Sequence, residues 1–268
     1  MSAKVLIIDP QNDFCDVNGA ALPVSGASAD MTRLAEFLRA AGSKVDELIV
    51  TLDSHATVGV ERTTFWRTGN AEEVSAFTQV TEADVRARSF VPRDEALTDQ
   101  VIAYLYALEA QGRYRLMIWP VHCVIGTWGH NIYPALADEI ARWEIRRQRG
   151  ALKVMKGMNP LTEQYSAVRA EVPRADDPRT QTNRELIDRS RPGHQLLFVA
   201  GEAASHCVSA TLTHLFEEMT AEERTRVVLV RDCMSPVAGF EAHATEFFER
   251  ARAQGAQVMT SRDALQLL

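Results

Sequence analysis

The stretch from Leu196 to Val208 reads Leu-Leu-Phe-Val-Ala-Gly-Glu-Ala-Ala-Ser-His-Cys-Val. Its apolar start predicts a buried strand, and a helical pattern begins at Ser205. The sequence therefore places Cys207 in the first turn of a helix that directly follows a strand. A helix N-terminus carries about half a positive charge and free N–H groups, which favour a thiolate and can hold a developing oxyanion. Cys207 is either a small buried core residue or a nucleophile, and the rest of the chain bears on that choice.

Short apolar runs alternate along the chain with longer segments of helical period, which is typical of a parallel sheet covered on both faces. The runs predict strands at Lys4–Ile8, Glu47–Leu52, Leu116–Trp119, Leu152–Met155, Gln195–Ala200, Arg226–Val230 and Gln257–Thr260. The longer segments predict helices at Asp30–Ala41, Asp99–Gln111, Pro134–Arg147, Thr182–Arg189, Ser205–Met219 and Phe240–Gln254. The predicted fold class is α/β, a three-layer α-β-α, doubly wound, mainly parallel sheet.

Two long irregular segments, residues 56–97 and 159–181, interrupt this alternation. Such segments are usually lids or binding loops, although plain surface excursions are nearly as common. The sequence shows no internal repeat and no linker, and 268 residues with 46% hydrophobic content can bury one large core. We therefore predict a single domain over residues 1–268 with loop insertions at about 56–97 and 159–181.

Composition excludes several classes of function. A net charge of −7 and a pI near 5.6 argue against nucleic acid as the main partner. The sequence has no apolar stretch of signal-peptide or membrane-spanning length, so we expect a cytoplasmic protein with no membrane partner. The four cysteines lack C-x-x-C spacing, which argues against a disulfide scaffold or a zinc knuckle. No glycine-rich turn follows the first strand, and we predict no organic cofactor.

Reactive side chains follow several of the predicted strands within a few residues. They are Asp9, Asp53, His55, His122, Lys156 and Cys207. In an open parallel sheet, ligands bind outside the carboxyl ends of the strands, so these six groups are expected to converge on one rim. Any one of them alone is more often a strand-end cap or a satisfied polar group. Six together indicate a site that binds a small molecule.

Five segments of the chain resemble a known protein family. They are residues 7–15 (Ile-Ile-Asp-Pro-Gln-Asn-Asp-Phe-Cys), 52–55 (Leu-Asp-Ser-His), 119–127 (Trp-Pro-Val-His-Cys-Val-Ile-Gly-Thr), 156–157 (Lys-Gly) and 205–208 (Ser-His-Cys-Val). These segments resemble the isochorismatase-like cysteine hydrolases, and among them the nicotinamidases (pyrazinamidases). They run in the family's order from Val5 to about Ala238, and Trp-Pro-x-His-Cys together with Asp-x-His is the most specific part. The resemblance implies the isochorismatase-like hydrolase fold.

The resemblance also implies a mechanism. Asp9 would take the proton of Cys207, and Lys156 would hold both groups in their charged forms. The thiolate would attack a carboxamide and form a thioester, converting nicotinamide to nicotinate and ammonia. Backbone N–H groups of Ala203 and Cys207 would form the oxyanion hole. In the family a cis peptide shapes this turn, and here it would be Glu202–Ala203.

For a metal, Asp53 and His55 lie two apart on an extended segment, which points both side chains to one side, and we expect His122 to arrive from a neighbouring strand. One carboxylate and two imidazoles suit one divalent transition metal, Zn²⁺, Fe²⁺ or Mn²⁺. Relatives often add a further ligand, commonly a histidine. Since no histidine lies between His55 and His122, either Glu61 or water would take that place.

Phe14 and Trp119 match family positions that flank an aromatic substrate, and the alternative for both is an ordinary core aromatic. Other amides remain open as substrates, because the two insertions exceed the compact nicotinamidases and Glu202 stands where these usually have a small apolar residue. The alternatives are a hydrolase of N-carbamoyl or ureido substrates, or a catalytically silent member that binds metal or ligand. Among the other histidines, His206 is the most relevant because it precedes the nucleophile. The family's habit suggests a homo-oligomer.

Overall fold

The apolar runs of the sequence form the strands of the computed structural model, which describes residues 2–268. The strands are β1 (Ala3–Ile8), β2 (Val45–Asp53), β3 (Trp66–Thr68), β4 (Thr78–Val80), β5 (Phe90–Pro92), β6 (Leu116–Ile118), β7 (Leu152–Lys156), β8 (Leu196–Gly201), β9 (Val227–Val230) and β10 (Gln257–Met259). The helices are α1 (Ala27–Ala41), α2 (Glu82–Arg86), α3 (Thr98–Ala110), α4 (Pro134–Arg147), α5 (Arg184–Ser190), α6 (Cys207–Glu218), α7 (Ala221–Arg224), α8 (Glu241–Ala253) and α9 (Ser261–Leu265).

Six strands form one parallel sheet in the order β10-β9-β8-β1-β2-β7. β1 lies at its centre, where Ile7 pairs with Val50 on one side and with Ala200 on the other. Strands covered on both faces are continuous apolar runs, because neither face meets water. The predicted α/β sheet with helices around it is confirmed, and the carboxyl ends of β1, β2, β7 and β8 lie along one rim.

One predicted strand belongs elsewhere. β6 ends at Ile118 and pairs antiparallel with β4 in a separate two-stranded ribbon, outside the central sheet. The edge of β2 that could have received it is occupied by β7. His122 therefore reaches the rim from a loop, and the expectation that a neighbouring sheet strand delivers it is wrong. The apolar run at 116–119 is correctly read as buried, since Leu116 and Ile118 are almost fully covered.

The insertion at 56–97 contains ordered elements that the sequence pattern did not predict. It holds the ribbon β3–β5, the strand β4 and the short helix α2. Its apolar residues share a second hydrophobic cluster with α3 and β6, which includes Trp66, Val80, Leu105 and Ile118. The segment 159–181 has only the 3-10 turn Pro178–Thr180 as regular structure. Among the described residues, no helix has the length and apolarity that crossing a bilayer requires.

Candidate active site and metal centre

The strand ends and the start of α6 enclose a cavity at the carboxyl rim of the sheet. It is lined by Phe14, Leu22, Asp53, His55, Glu61, Trp119, His122, Lys156, Glu163, Gln164, Tyr165, Ala203, His206, Cys207 and Val237. The lining includes all the predicted site residues except Asp9, which lies fully buried beneath it. Among the four cysteines, which are all buried and unpaired, Cys207 alone lines the cavity.

Lys156 is the centre of a group of buried charges. Its ammonium Nζ lies 3.0 Å from Asp9 Oδ2, 2.8 Å from Asp53 Oδ1 and 3.4 Å from Cys207 Sγ. The Gln164 carbonyl oxygen also accepts a hydrogen bond from Nζ at 3.2 Å. Because a buried ammonium is costly without partners, this arrangement fixes the lysine and brings the acid and the thiol together.

Asp9 is held by the neighbouring strand. It has a left-handed backbone at φ 45°, and its N–H donates to the Thr51 carbonyl oxygen at 3.2 Å. The Thr51 hydroxyl donates to Asp9 Oδ1 at 2.5 Å, which leaves Oδ2 facing Lys156. Burial raises the pKa of Asp9, with the Lys156 charge acting against that rise. A carboxylate with a raised pKa is a stronger base for a thiol proton.

The pKa of Cys207 responds to two opposing causes. Burial raises it well above the ordinary thiol value, and the Lys156 charge acts in the opposite direction. Burial also lowers the pKa of Lys156, but the carboxylates of Asp53 and Asp9 outweigh it and raise that pKa well above normal. Lys156 therefore stays charged beside the thiol, where it favours a thiolate once the proton leaves.

The turn before Cys207 is the one in which the sequence resemblance implies an oxyanion hole. The Glu202–Ala203 peptide bond is cis, as predicted. The Ala203 carbonyl oxygen accepts the N–H groups of His206 at 3.0 Å and Val208 at 3.2 Å. α6 begins at Cys207, so the N–H of this residue is one of those that an α-helix leaves free at its start.

A second group of buried polar side chains adjoins the first through Asp53. One ligand atom from each of Asp53, His55 and His122 lies within 4.8 Å of the others. Asp53 Oδ1 is 2.8 Å from His55 Nε2, and Asp53 Oδ2 is 3.3 Å from His122 Nε2. Burial and the Arg62 charge lower the pKa of His122 to about 4, so this imidazole is neutral and keeps a lone pair for a cation.

The outer nitrogens of both imidazoles lie close to oxygen atoms. His55 Nδ1 lies 3.3 Å from Glu61 Oε1, and His122 Nδ1 lies 2.8 Å from the Pro120 carbonyl oxygen. Contacts of this kind orient imidazoles around a metal. In this structure Glu61 contacts the far side of His55, whereas the inner Nε2 faces Asp53.

Arg62 and Glu163 belong to the site, although the sequence did not single them out. The Arg62 guanidinium is fully buried, with Nε 2.9 Å from Glu61 Oε1 and Nη1 2.8 Å from His122 Nδ1. Glu163 lines the cavity, where its Oε1 accepts the Gln164 N–H at 2.8 Å and its Oε2 has no partner among the described residues. Burial, with the Glu61 charge, raises its pKa to about 8. An arginine directly after Glu61 was a weak signal, and nothing in the sequence distinguishes Glu163 from a surface acid.

Aromatic side chains form one wall of the cavity. The Trp119 indole N–H donates to the Tyr165 hydroxyl at 3.2 Å, and its ring lies 5.3 Å from the His206 ring. Phe14 lies 5.3 Å from His122, ring centre to ring centre. Burial lowers the pKa of His206 to about 4, so this imidazole is neutral and behaves as part of the aromatic wall. The cavity thus combines flat apolar surfaces with the thiol of Cys207 and a cluster of side chains of the types that bind metals.

Solved structures with this fold cover nearly the whole chain. A nicotinamidase/pyrazinamidase from Acinetobacter baumanii superposes with a TM-score of 0.64 at 17% identity, covering 98% of each chain. A pyrazinamidase from Pyrococcus horikoshii in complex with zinc gives 0.55 at 17% identity, covering 97% of this chain and 99% of its own. An isochorismatase-like hydrolase from Alkaliphilus metalliredigens gives 0.54 at 15% identity, covering 100% of this chain and 99% of its own.

No protein-family model and no curated protein sequence matches this chain. At these levels of identity the structural likeness shows the fold. It is the fold of nicotinamidases, pyrazinamidases and isochorismatase-like hydrolases, as the sequence resemblance implied.

Proposed function

We propose that this protein is a metal-dependent cysteine amidohydrolase that converts nicotinamide to nicotinate and ammonia. The observation that carries the proposal is the Lys156 ammonium, which contacts the Asp9 carboxylate and the Cys207 thiol beside an aromatic cavity. A buried acid, lysine and thiol in mutual contact have no structural use that apolar residues would not serve as well. The fold shared with amide hydrolases supports the same interpretation.

The residues suffice for each proton transfer of an amide hydrolysis. Asp9 takes the proton of Cys207, and the thiolate attacks the carboxamide carbon. The N–H groups of Ala203 and Cys207 then hold the oxyanion, each worth about 3–4 kcal/mol when well placed. Asp9 gives its proton to the departing ammonia, which leaves a thioester. Water, losing a proton to Asp9, attacks the thioester, and release of the acid returns the thiol to Cys207.

The side chains of the second group fit a divalent transition metal. Asp53, His55 and His122 offer one carboxylate and two imidazoles, the ligand set of Zn²⁺, Fe²⁺ or Mn²⁺. Glu61 Oε1 lies 3.3 Å from His55 Nδ1, on the side away from Asp53, so Glu61 would orient the imidazole whose Nε2 faces the ion. When bound, such a metal would supply a Lewis-acid site for a pyridine nitrogen, with Phe14 and Trp119 on the faces of the ring.

A second candidate substrate class is favoured by Glu163. Glu163 lines the cavity and its Oε2 has no hydrogen-bond partner among the described residues, so its carboxyl could bond the additional polar groups of an N-carbamoyl or ureido amide, which nicotinamide lacks outside its carboxamide. The contacts of Lys156 with Asp9 at 3.0 Å and with Cys207 at 3.4 Å support catalysis over a catalytically silent binding protein. The homo-oligomer and the cytoplasmic location stay predictions.

Ammonia release tests the proposal. The substrates are nicotinamide, pyrazinamide, N-carbamoyl amino acids and ureidoacrylate, each measured with and without a chelator, and Cys207→Ala is the control. We expect nicotinamide and pyrazinamide to react fastest, and chelation to slow both. Turnover of carbamoyl or ureido substrates alone would favour the second candidate. No turnover of any amide would contradict the enzyme assignment.

A further inference from the structure

Glu202 is a buried acid directly behind the oxyanion turn. Its side chain has no exposed surface, and its Oε2 accepts the Ser235 N–H at 3.2 Å. Its own N–H donates to the Ile8 carbonyl oxygen at 2.8 Å, which ties the turn to β1. Its Oε1 finds no hydrogen-bond donor among the described residues. The carboxyl of Asp30 on α1 lies near enough to Glu202 to raise its pKa.

Asp30 already has its own partners. It forms an ion pair with Arg33, and its Oδ2 accepts the Ser235 hydroxyl at 2.5 Å. Glu202 has no cation of its own, and burial raises its pKa well above the ordinary value, with Asp30 the next cause and Asp16 a weaker one. Two carboxyls that lie close together repel each other unless they share a proton, and the raised pKa of Glu202 favours its protonated form. Cys15 also lies near Glu202, and burial raises the pKa of that thiol to about 12.

The acid pair is linked to the oxyanion turn through the segment 235–237. The Ser235 carbonyl oxygen accepts the Ala204 N–H at 2.9 Å. The Val237 N–H donates to the Ser205 hydroxyl at 3.0 Å. Ser235 is thus bonded on one side to the Glu202 and Asp30 carboxyls and on the other to the backbone next to Ala203.

We propose that Glu202 is a positioning residue, which holds the Ala203 and Cys207 N–H groups in place by bridging Ser235 and Asp30. The inference rests on the proposed function, since it assigns these N–H groups to the oxyanion hole. Glu202 touches no substrate and acts only through the backbone. A hydrogen-bonded carboxyl fixes the turn more tightly than apolar packing, because each bond has a required direction.

Two substitutions separate positioning from simple filling of space. Glu202→Gln keeps a donor for Asp30 and an acceptor for Ser235, and so imitates the protonated acid. Glu202→Leu keeps the volume but removes both bonds. Glu139→Leu is the matched control, because Glu139 is equally buried on α4, where it pairs with Arg39.

The first measurement is kcat and KM at pH 7, on the amide that the protein hydrolyses best. Glu202→Leu should lower kcat by about 10- to 100-fold, which approaches the fall in kcat expected when one oxyanion donor is removed. KM should stay within about threefold of the wild-type value. Glu202→Gln should keep kcat within about threefold, and Glu139→Leu should leave it unchanged. An unchanged kcat in Glu202→Leu, or an equal loss in Glu202→Gln, overturns the proposal. If Glu202→Leu fails to fold, Glu202→Met takes its place, because it also fills the space without either bond. The same loss of kcat is expected for Glu202→Met, and an unchanged kcat would overturn the proposal.

The second measurement needs no substrate, so it separates this proposal from the proposed function. Hydrogen exchange of the amides at 203–208 should speed up by about tenfold in Glu202→Leu and stay unchanged in Glu202→Gln and Glu139→Leu. Equal exchange in all three proteins overturns the positioning role. If no amide is hydrolysed but this pattern appears, the proposed function fails while the positioning of the turn stands.

Discussion

The two polar groups in the cavity share Asp53 but differ in how their charges are balanced. In the group of Asp9, Lys156 and Cys207, one ammonium lies between a carboxylate and the thiol, and its partners are side chains of the protein. In the group of Asp53, His55 and His122, three potential metal ligands face one another, and Asp53 also contacts the Lys156 ammonium. The partners of the first group all belong to the chain, whereas the second group consists of side chains that commonly bind a divalent metal. We therefore expect the attack of the Cys207 thiolate to depend on side chains of the protein alone. The placement of the substrate ring should depend on the metal.

The largest expected effect comes from removing the nucleophile. Cys207→Ala should lower kcat by about 10⁴-fold or more, because without the thiol Asp9 has no nucleophile to activate. Iodoacetamide should label Cys207 faster than Cys15, Cys123 or Cys233, because these three are buried and do not line the cavity. The control is Cys233→Ala, which should keep full activity. Faster labelling of another cysteine, with activity retained, would show that the nucleophile is misassigned.

The next effect is on both activity and stability. Lys156→Met leaves Asp9 and Asp53 facing each other without a cation, which should lower the free energy of unfolding by about 3–5 kcal/mol. Activity should fall to background even where the variant stays folded. Lys153→Met on the same strand is the control, because Lys153 is half-exposed and its pairing with Glu144 is worth about 0–1 kcal/mol. Chemical denaturation of both variants checks this, and equal losses would contradict a central role for Lys156.

The second group is tested by metal content. Purified protein should contain about one equivalent of a divalent transition metal, and His122→Ala should lower its affinity by about 100-fold or more. His130→Ala is the control, since His130 lies beside the site with its Nε2 2.8 Å from the Ser54 hydroxyl, outside the ligand cluster. Elemental analysis after dialysis against a weak chelator gives the occupancy. Full metal content in His122→Ala would place the site elsewhere.

The sequence predicted the central sheet because buried parallel strands are continuous apolar runs. It also predicted the convergence of Asp9, Lys156 and Cys207, because residues that follow such strands share one rim. It misplaced β6 because apolarity indicates burial but not the partner of a strand. The sequence did not predict the role of Arg62, because arginine is usually exposed. Its burial is explained by the oxygen atoms of Glu61 and of the loop at 120–122, which accept its hydrogen bonds. Loop contacts of this kind depend on the folded chain and leave no periodic pattern.

The smallest expected effect concerns the pH dependence of stability. Glu202 has a raised pKa in the folded protein and an ordinary one near 4.5 when unfolded. The stability that its proton contributes is fully present below the unfolded pKa and is lost as pH rises toward the folded one. Glu202→Gln has no such proton and does not lose this stability. The free energy of unfolding of the variant minus that of the wild type should therefore rise above pH 5, by up to about 1.4 kcal/mol per pH unit. Denaturation at pH 5, 6 and 7 measures this, and a constant difference would mean that Glu202 is ionised.

The most direct test of the division between the two groups is the rate of nicotinamide hydrolysis relative to benzamide, which has the same shape without the ring nitrogen. Metal-loaded protein should hydrolyse nicotinamide about 100-fold faster or more, because a fixed ring presents its carboxamide to Cys207. After chelation the ratio should fall toward one, while iodoacetamide still labels Cys207 at its original rate. If the two amides react equally in the metal-loaded protein, or if chelation leaves the ratio unchanged, the metal does not place the ring and the account is contradicted.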